Sequence, residues 1–350
     1  MGYKSAFAEH LSALFVTVIF ILISLAAMVL SPLPMRAQSV DDVHLQPRNT
    51  APTERSAPPA APADHDLNLK VNAKTFVKNV ELVLVPVTIT NPMNQAVTGL
   101  ERENFRVYEG EQEQAIRYFS SEDAPLSLGV IFDVSESMAD KIDKAREAVM
   151  GFLRAANPQD EFCLVTFSDR PHWLVDFGEP LEIIEHKLDY AVPKGRTALL
   201  DAIYLGMAEV RRASHVRKAL LIISDGGDNR SRFKSGEIKN LAMEADVQIY
   251  SISIFNSVFK TLEEERGQRL LSQLADVTGG RAFTVRKINE LPEIAAQIAR
   301  ELRNQYVLGY RPSSSVRDGK WHRIKVKLIP PQGSPRLRVS AKTGYYAPGQ

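Results

Sequence analysis

Two apolar runs without a charged residue, LSLGVIF at 126–132 and ALLIIS at 219–224, constrain the fold more than any other feature of this chain. A strand with one wet face alternates apolar and polar residues. A strand that stays apolar on both faces must be covered on both, as in a parallel sheet under two helical layers. EFCLVTF (161–167) and VQIYSISI (247–254) also read as strands, although they alternate more. Helical periods separate them. Ile142, Ala145, Val149 and Phe152 share one face, and Asn157-Pro158 ends that helix. Leu199, Ile203 and Met207 mark a second helix, and Leu270, Leu271 and Leu274 a third. Leu291, Ile294, Ile298 and Leu302 mark the last, with Pro292 in its first turn. Strands alternating with helices predict an α/β fold: an open, mostly parallel sheet with helices on both faces.

Both flanks of this region read as β-strands. On the N-terminal side Val83, Val85, Val87 and Ile89 alternate as one strand face, and NPMNQ at 91–95 makes a turn. Phe105 and Val107, a turn signal at Glu109-Gly110, then Ile116 and Tyr118 give a hairpin pattern. After 306, Ile324, Val326 and Leu328 alternate with Arg323, Lys325 and Lys327. Leu337 and Val339 do the same with Arg336 and Arg338. This basic stripe reads as the solvated side of a sheet in preference to an anion-binding face. The order of patterns predicts an α/β domain inserted into one small β-sandwich, with strands from 71–120 pairing with strands from 306–342.

The N-terminus has a different character. Leu11 to Leu30 carries no charge, and its only polar side chains are Ser12, Thr17 and Ser24. It has the length of a membrane-spanning helix and is apolar all round. Cleavage after Ala37 would require a small residue where Met35 stands, so an uncleaved signal anchor is favoured over a cleaved signal peptide. Residues 47–64, rich in Pro and Ala, cannot build a core and read as an extended spacer. The expected partition is 1–38 anchor or signal, 39–69 linker, 70–122 N-terminal β segment, 124–305 α/β domain and 306–350 C-terminal β segment. The folded part is therefore expected outside the cytoplasm, anchored in the inner membrane by 11–30, or secreted or periplasmic if cleaved near Ala37.

Bulk chemistry removes some functions. The 43 basic and 42 acidic residues leave a net charge of +1, which gives no electrostatic case for nucleic acid. The single cysteine, Cys163, excludes an intramolecular disulfide and a cysteine-based metal site, and its strand context makes it a core residue.

The remaining signal is a set of oxygen side chains at the ends of the predicted strands. The run at 126–132 stops at Asp133, followed at alternate positions by Ser135 and Ser137. The run at 219–224 stops at Asp225, in SDGGDN, and Thr197 immediately precedes a helix in KGRTALLDAI. Ligands of open α/β sheets bind at the carboxyl ends of the strands. Asp133, Ser135, Ser137, Thr197 and Asp225 together offer only oxygen. That suits a hard divalent cation and disfavours zinc or copper. Two carboxylates balance a divalent charge, and neutral hydroxyls leave such an ion able to accept an outside carboxylate.

DVSES, with Thr197 in GRTALLDAI and Asp225 in SDGGDN, resembles the metal-ion-dependent adhesion site of von Willebrand factor type A domains. The resemblance covers about residues 126–305. It implies a Rossmann-like sheet carrying magnesium, or else manganese or calcium, on its upper face. Ser135 and Ser137 would bind the ion directly, Thr197 in the ligand-bound state, and Asp133 and Asp225 largely through waters. The partner would be a protein presenting an Asp or Glu. Arg196 stands where many relatives have Gly. More loosely, the β segments before and after the domain resemble those of exported bacterial members of the family.

Other readings stay open at this stage. Ser137 and Thr197 are also good helix caps, and Asp225-Gly226-Gly227 a tight turn. Asp228 reads as a turn residue beyond the ligand set. A metal-dependent hydrolase on the same fold is one alternative, and a metal-free scaffold is another. Against catalysis, no GxxxxGK[ST] or HExxH occurs, and His215, nearest in sequence to the Asp225 loop, lies beyond a helix.

Overall fold

The computed structural model describes residues 82–255, 261–313 and 318–348. The anchor expected at 11–30 and the spacer at 47–64 lie outside the described residues. Among the described residues no helix is long and apolar enough to cross a membrane.

The chain begins with β1 (Val83–Thr90), β2 (Phe105–Glu109), β3 (Gln112–Gln114) and β4 (Ile116–Ser120). The α/β unit follows: β5 (Leu126–Asp133), α1 (Ile142–Arg154), β6 (Glu161–Phe167), β7 (Pro171–Val175), α2 (Leu181–Asp189), α3 (Leu199–Val210), β8 (Arg217–Ser224) and α4 (Ser235–Glu244). It continues through β9 (Gln248–Ile254), α5 (Leu262–Thr278), β10 (Ala282–Val285) and α6 (Leu291–Arg303). β11 (Tyr306–Tyr310), β12 (Trp321–Leu328), β13 (Arg338–Ala341) and β14 (Gly344–Tyr346) follow the α/β unit.

The central sheet has the order β10-β9-β8-β5-β6-β7. Its pairs are parallel except for β6 with the edge strand β7. Every residue of β5 is buried. Leu128, Val130 and Phe132 face a core closed by Ala145 and Val149 of α1, Ile184 of α2 and Ile298 of α6. Ile131 faces the opposite core, closed by Ile203 of α3, Ile238 of α4 and Leu271 of α5. The helical stripes read from the sequence are these contacts. β9 proves as buried as β5, and β6 is buried from Phe162 onward, because Thr166, Ser251 and Ser253, which made them look alternating, are themselves inside. β7, α2, α4 and β10 escaped the sequence pattern. They are short, and α2 and α4 each bury only two side chains, too few to set a period.

Strands of both flanks mix in two further sheets, β13-β1-β11-β4 and β14-β12-β2-β3. β1 runs antiparallel between β11 and β13, and β12 antiparallel between β2 and β14. Val85, Val87, Phe105, Val107, Leu308 and Ile324 share the core between them. The expected hairpin is corrected in one respect. β2 turns through Gly110, with φ at +60°, to pair with β3 at Glu109↔Gln112. Ile116 and Tyr118 belong to β4, which crosses to the other sheet and pairs with β11, where Ile116 and Phe119 pack on the shared core. A short connection between two sheets leaves the same alternation as a hairpin, so periodicity alone does not separate them.

The sandwich is fastened to the α/β unit by polar contacts. Arg281 pairs with the fully buried Glu301 of α6 and donates to Asn94 Oδ1 at 2.9 Å. Gln297 Nε2 donates to Glu301 Oε1 and to Asn94 O, each at 2.9 Å.

Candidate metal centre

β5 and β8 are neighbours in the parallel sheet, so Asp133 and Asp225 emerge side by side at its carboxyl edge. Asp133 is fully buried and Asp225 is 2% exposed. Asp133 Oδ1 accepts the backbone N–H of Ser135 at 2.9 Å, which curls DVSES back over the strand end. Its Oδ2 accepts the hydroxyl of Ser224 at 2.5 Å, and that Ser224 Oγ accepts the N–H of Gly226 at 3.0 Å. Asp133 thereby holds the first loop to the third.

The second loop is held equally closely. Gly195 O accepts the N–H of Glu136 at 3.1 Å, and Lys194 N donates to Val134 O at 2.9 Å. Thr197 N donates to Asn229 Oδ1 at 3.1 Å, while Thr197 O accepts the N–H groups of Asn229 and Arg230. Buried Asp201 of α3 accepts the N–H groups of Arg232 and Phe233. The structure therefore gathers Asp133, Ser135, Ser137, Thr197 and Asp225 onto three interlocked loops.

The competing structural roles fall differently for each residue. α1 is entered from Lys141 and α3 from Ala198, neither of which caps with its own side chain; the first N–H groups of α3 go to Asp228 and Ser231. Ser137 and Thr197 are therefore not capping these helices, and their hydroxyls are not committed to helix N–H groups. Asp225 does make the expected turn contact, with Oδ1 accepting from Gly227 N at 3.4 Å, and Gly226 has φ at +84°. Asp228 lies outside the cluster. It accepts from Ser231 Oγ at 2.5 Å and from Leu200 N at 3.5 Å at the start of α3. Arg196 is exposed, and its backbone N donates to Asp169 Oδ1. His215 N donates to Ser127 Oγ near the opposite end of β5, far from Ser135 in the fold.

Two groups were not picked out from the sequence. Ser224 directly precedes Asp225, and a hydroxyl closing an apolar strand was an available sign. Lys141, nearly buried, donates to Ser137 O at 2.8 Å and to Asp225 Oδ2 at 3.4 Å. Nothing in its local sequence distinguishes it from a surface lysine.

The residues present fit a hard cation on two grounds. Ser135 Oγ and Ser137 Oγ lie 3.1 Å apart. Two oxygens at right angles around magnesium, each about 2.1 Å from it, are separated by roughly 3.0 Å. The second ground is electrostatic. Burial, then the neighbouring charge of Asp225, pushes the Asp133 carboxyl up to about 7, against smaller opposing effects of the Ser135 and Ser224 hydrogen bonds. Two buried carboxylates, only Asp225 of them paired with an ammonium, are short of positive charge, which a divalent ion would supply. No cluster of three or more His, Cys, Asp or Glu side chains placed to hold a metal occurs among the described residues, so hydroxyls must carry part of any ligation.

Residues 128–227 match the family model described as the von Willebrand factor type A domain. The matched stretch lies within the α/β unit and runs from β5 into the loop after β8. A curated relative, an uncharacterized protein of Borreliella burgdorferi, is 23% identical over 186 residues, covering 46% of this chain and 54% of its own length. The chain thus spans about half the length of that relative. Among solved structures, a von Willebrand factor type A protein from Catenulispora acidiphila is 12% identical, with TM-score 0.46, over 77% of this chain and 75% of its own. BatB from Bacteroides thetaiotaomicron is 15% identical, with TM-score 0.41, over 50% of this chain and 98% of its own. The proximal thread matrix protein 1 of the mussel byssus, solved with a zinc-occupied MIDAS motif, is 18% identical, with TM-score 0.44, over 55% and 49%.

Proposed function

We propose that this chain binds a protein partner through a divalent cation, magnesium in the first instance, held by Ser135, Ser137 and Thr197 above Asp133 and Asp225. The observation that carries the reading is the pair of serine hydroxyls 3.1 Å apart over two buried carboxylates. A divalent ion in this position supplies an electrophilic centre that accepts a carboxylate oxygen from outside. Ser135 and Ser137 contribute neutral oxygens, so they do not quench that acidity. Asp133 spends both its oxygens on Ser135 N and Ser224 Oγ, and so acts on the ion from behind these groups. Thr197, on a loop tied to Asn229 and Arg230, would add its hydroxyl to the oxygen set when a partner's Asp or Glu binds.

The site is a binding site without catalysis in this reading. Ser135 has the hydroxyl of Ser137 and its own loop for neighbours, and among the described residues no imidazole is paired with it to activate it as a nucleophile. The apolar stretch 11–30 and the Pro/Ala-rich spacer support display of the domain outside the cytoplasm on a membrane tether. Isothermal titration of the chain with MgCl₂, wild type beside Ser135→Ala, tests the centre. Heat in the wild type that vanishes in the variant is the expected result. Equal affinity in both would remove the metal bridge from the mechanism.

A further inference from the structure

Lys141 introduces a charge that the ligand set does not explain. It is 7% exposed, and its ammonium lies between Ser137 O, at 2.8 Å, and Asp225 Oδ2, at 3.4 Å. Burying an ammonium is costly unless it is paired. Here the pairing partner is one of the two acids beneath the proposed cation, so the lysine enters the charge count of the site itself. With both acids ionised, Asp133, Asp225 and Lys141 together carry one net negative charge. A divalent cation turns that into one net positive charge, and a single carboxylate from a partner brings it to neutrality. With no lysine, the same cation would only neutralise the two aspartates, and a further carboxylate would arrive at a site with nothing left to balance it.

We infer that Lys141 sets this balance: it lowers the affinity of the centre for the cation alone and raises the affinity of the loaded centre for an anionic side chain. The inference rests on the metal reading above and adds partner selection to it. The ammonium repels the ion at short range in a buried setting, where such interactions are poorly screened. The same ammonium attracts the incoming carboxylate. The two effects have opposite signs for metal and partner, which a merely structural lysine would not produce. Lys141 is thus a positioning and selectivity residue that acts through Asp225 and the loaded centre.

The test uses the full chain as wild type, Lys141→Gln and Lys141→Arg. MgCl₂ is titrated alone, then a hexaglutamate peptide at saturating Mg²⁺, with thermal melts in chelator alongside. Lys141→Gln is expected to bind Mg²⁺ roughly tenfold tighter and the peptide roughly tenfold weaker, while Lys141→Arg stays near wild type in both. In chelator the glutamine variant is expected to melt below wild type, since two buried acids lose their cation. Lys141→Met, which keeps the alkyl stem, repeats the comparison if glutamine prevents folding. Unchanged affinities, or metal and peptide affinities that fall together, would overturn the inference while leaving the metal centre standing. Absence of Mg²⁺ heat in every variant, wild type included, would overturn the metal reading and this inference with it.

Discussion

Glu109 in the sandwich and Asp133 at the sheet edge are both carboxylates largely withdrawn from water, and their surroundings differ in kind. Glu109 Oε1 receives His322 Nδ1 at 2.7 Å, and its Oε2 receives the hydroxyls of Tyr310 at 2.8 Å and Tyr345 at 3.4 Å. Those donors come from β11, β12 and β14, so one acid stitches strands of both sheets together. Asp133 instead faces a second acid, Asp225: Asp133 accepts from Ser135 N and Ser224 Oγ, and Asp225 from Gly227 N and Lys141 Nζ. The first acid is satisfied by the protein itself and serves stability. The second pair is left with excess negative charge, as a site is when part of its coordination comes from outside.

The largest expected effect sets the two acids against each other directly. Glu109→Leu would strand His322, the buried Tyr310 hydroxyl and the half-buried Tyr345 hydroxyl, at a cost of about 3 kcal/mol. Asp133→Asn in chelator should change stability by less than about 1 kcal/mol, because it also removes repulsion with Asp225. Urea denaturation of both variants measures this, and equal losses would erase the distinction. Next in size, Mg²⁺ at about a hundred times its dissociation constant should stabilise the wild type by about 2.7 kcal/mol. It should leave Ser135→Ala unmoved, as read from melting with and without the ion.

A smaller effect concerns the backing of the Asp225 turn. Gly267 of α5 packs so closely that an added Cβ would fall 1.5 Å from Gly226 O. Gly267→Ala should therefore cost about 1–3 kcal/mol by overpacking. It should also weaken Mg²⁺ binding by moving the neighbouring carboxylate, which titration of the variant would show; intact binding would mean the turn is insulated from α5.

The smallest effect is pH dependence on the sandwich side. His322 has its proton affinity raised, chiefly by the hydrogen bond to Glu109, with Asp318 Oδ1 at 3.2 Å from Nε2 adding to it. A group whose folded pKa lies above its unfolded value contributes fully below the unfolded value. It loses that contribution as pH rises through the folded one. Stability should accordingly decline as pH rises from about 6.5, and His322→Gln should flatten the decline. A wild-type profile that the variant reproduces would remove His322 from the account.

How much of this could be read in advance depends on the range of the interaction. The covered strands, four of the helices and all five proposed ligands follow from local patterns, because burial on two faces and strand-end position leave marks within ten residues. Short elements such as α2 and α4 did not show, having too few buried side chains to set a period. The crossing of β4 to the other sheet did not show either, because its alternation is identical in both arrangements.

The sequence by itself determined an α/β sheet with oxygen side chains at the ends of its strands, since the alternation of apolar runs and helical stripes permits little else. Only the tertiary structure decided which groups supply the remaining charge and hydrogen bonds there. Ser224 reaches Asp133 across 91 residues and Lys141 reaches Asp225 across 84. Both contacts exist because β5 and β8 lie side by side, and a pairing of distant strands has no local sequence signature.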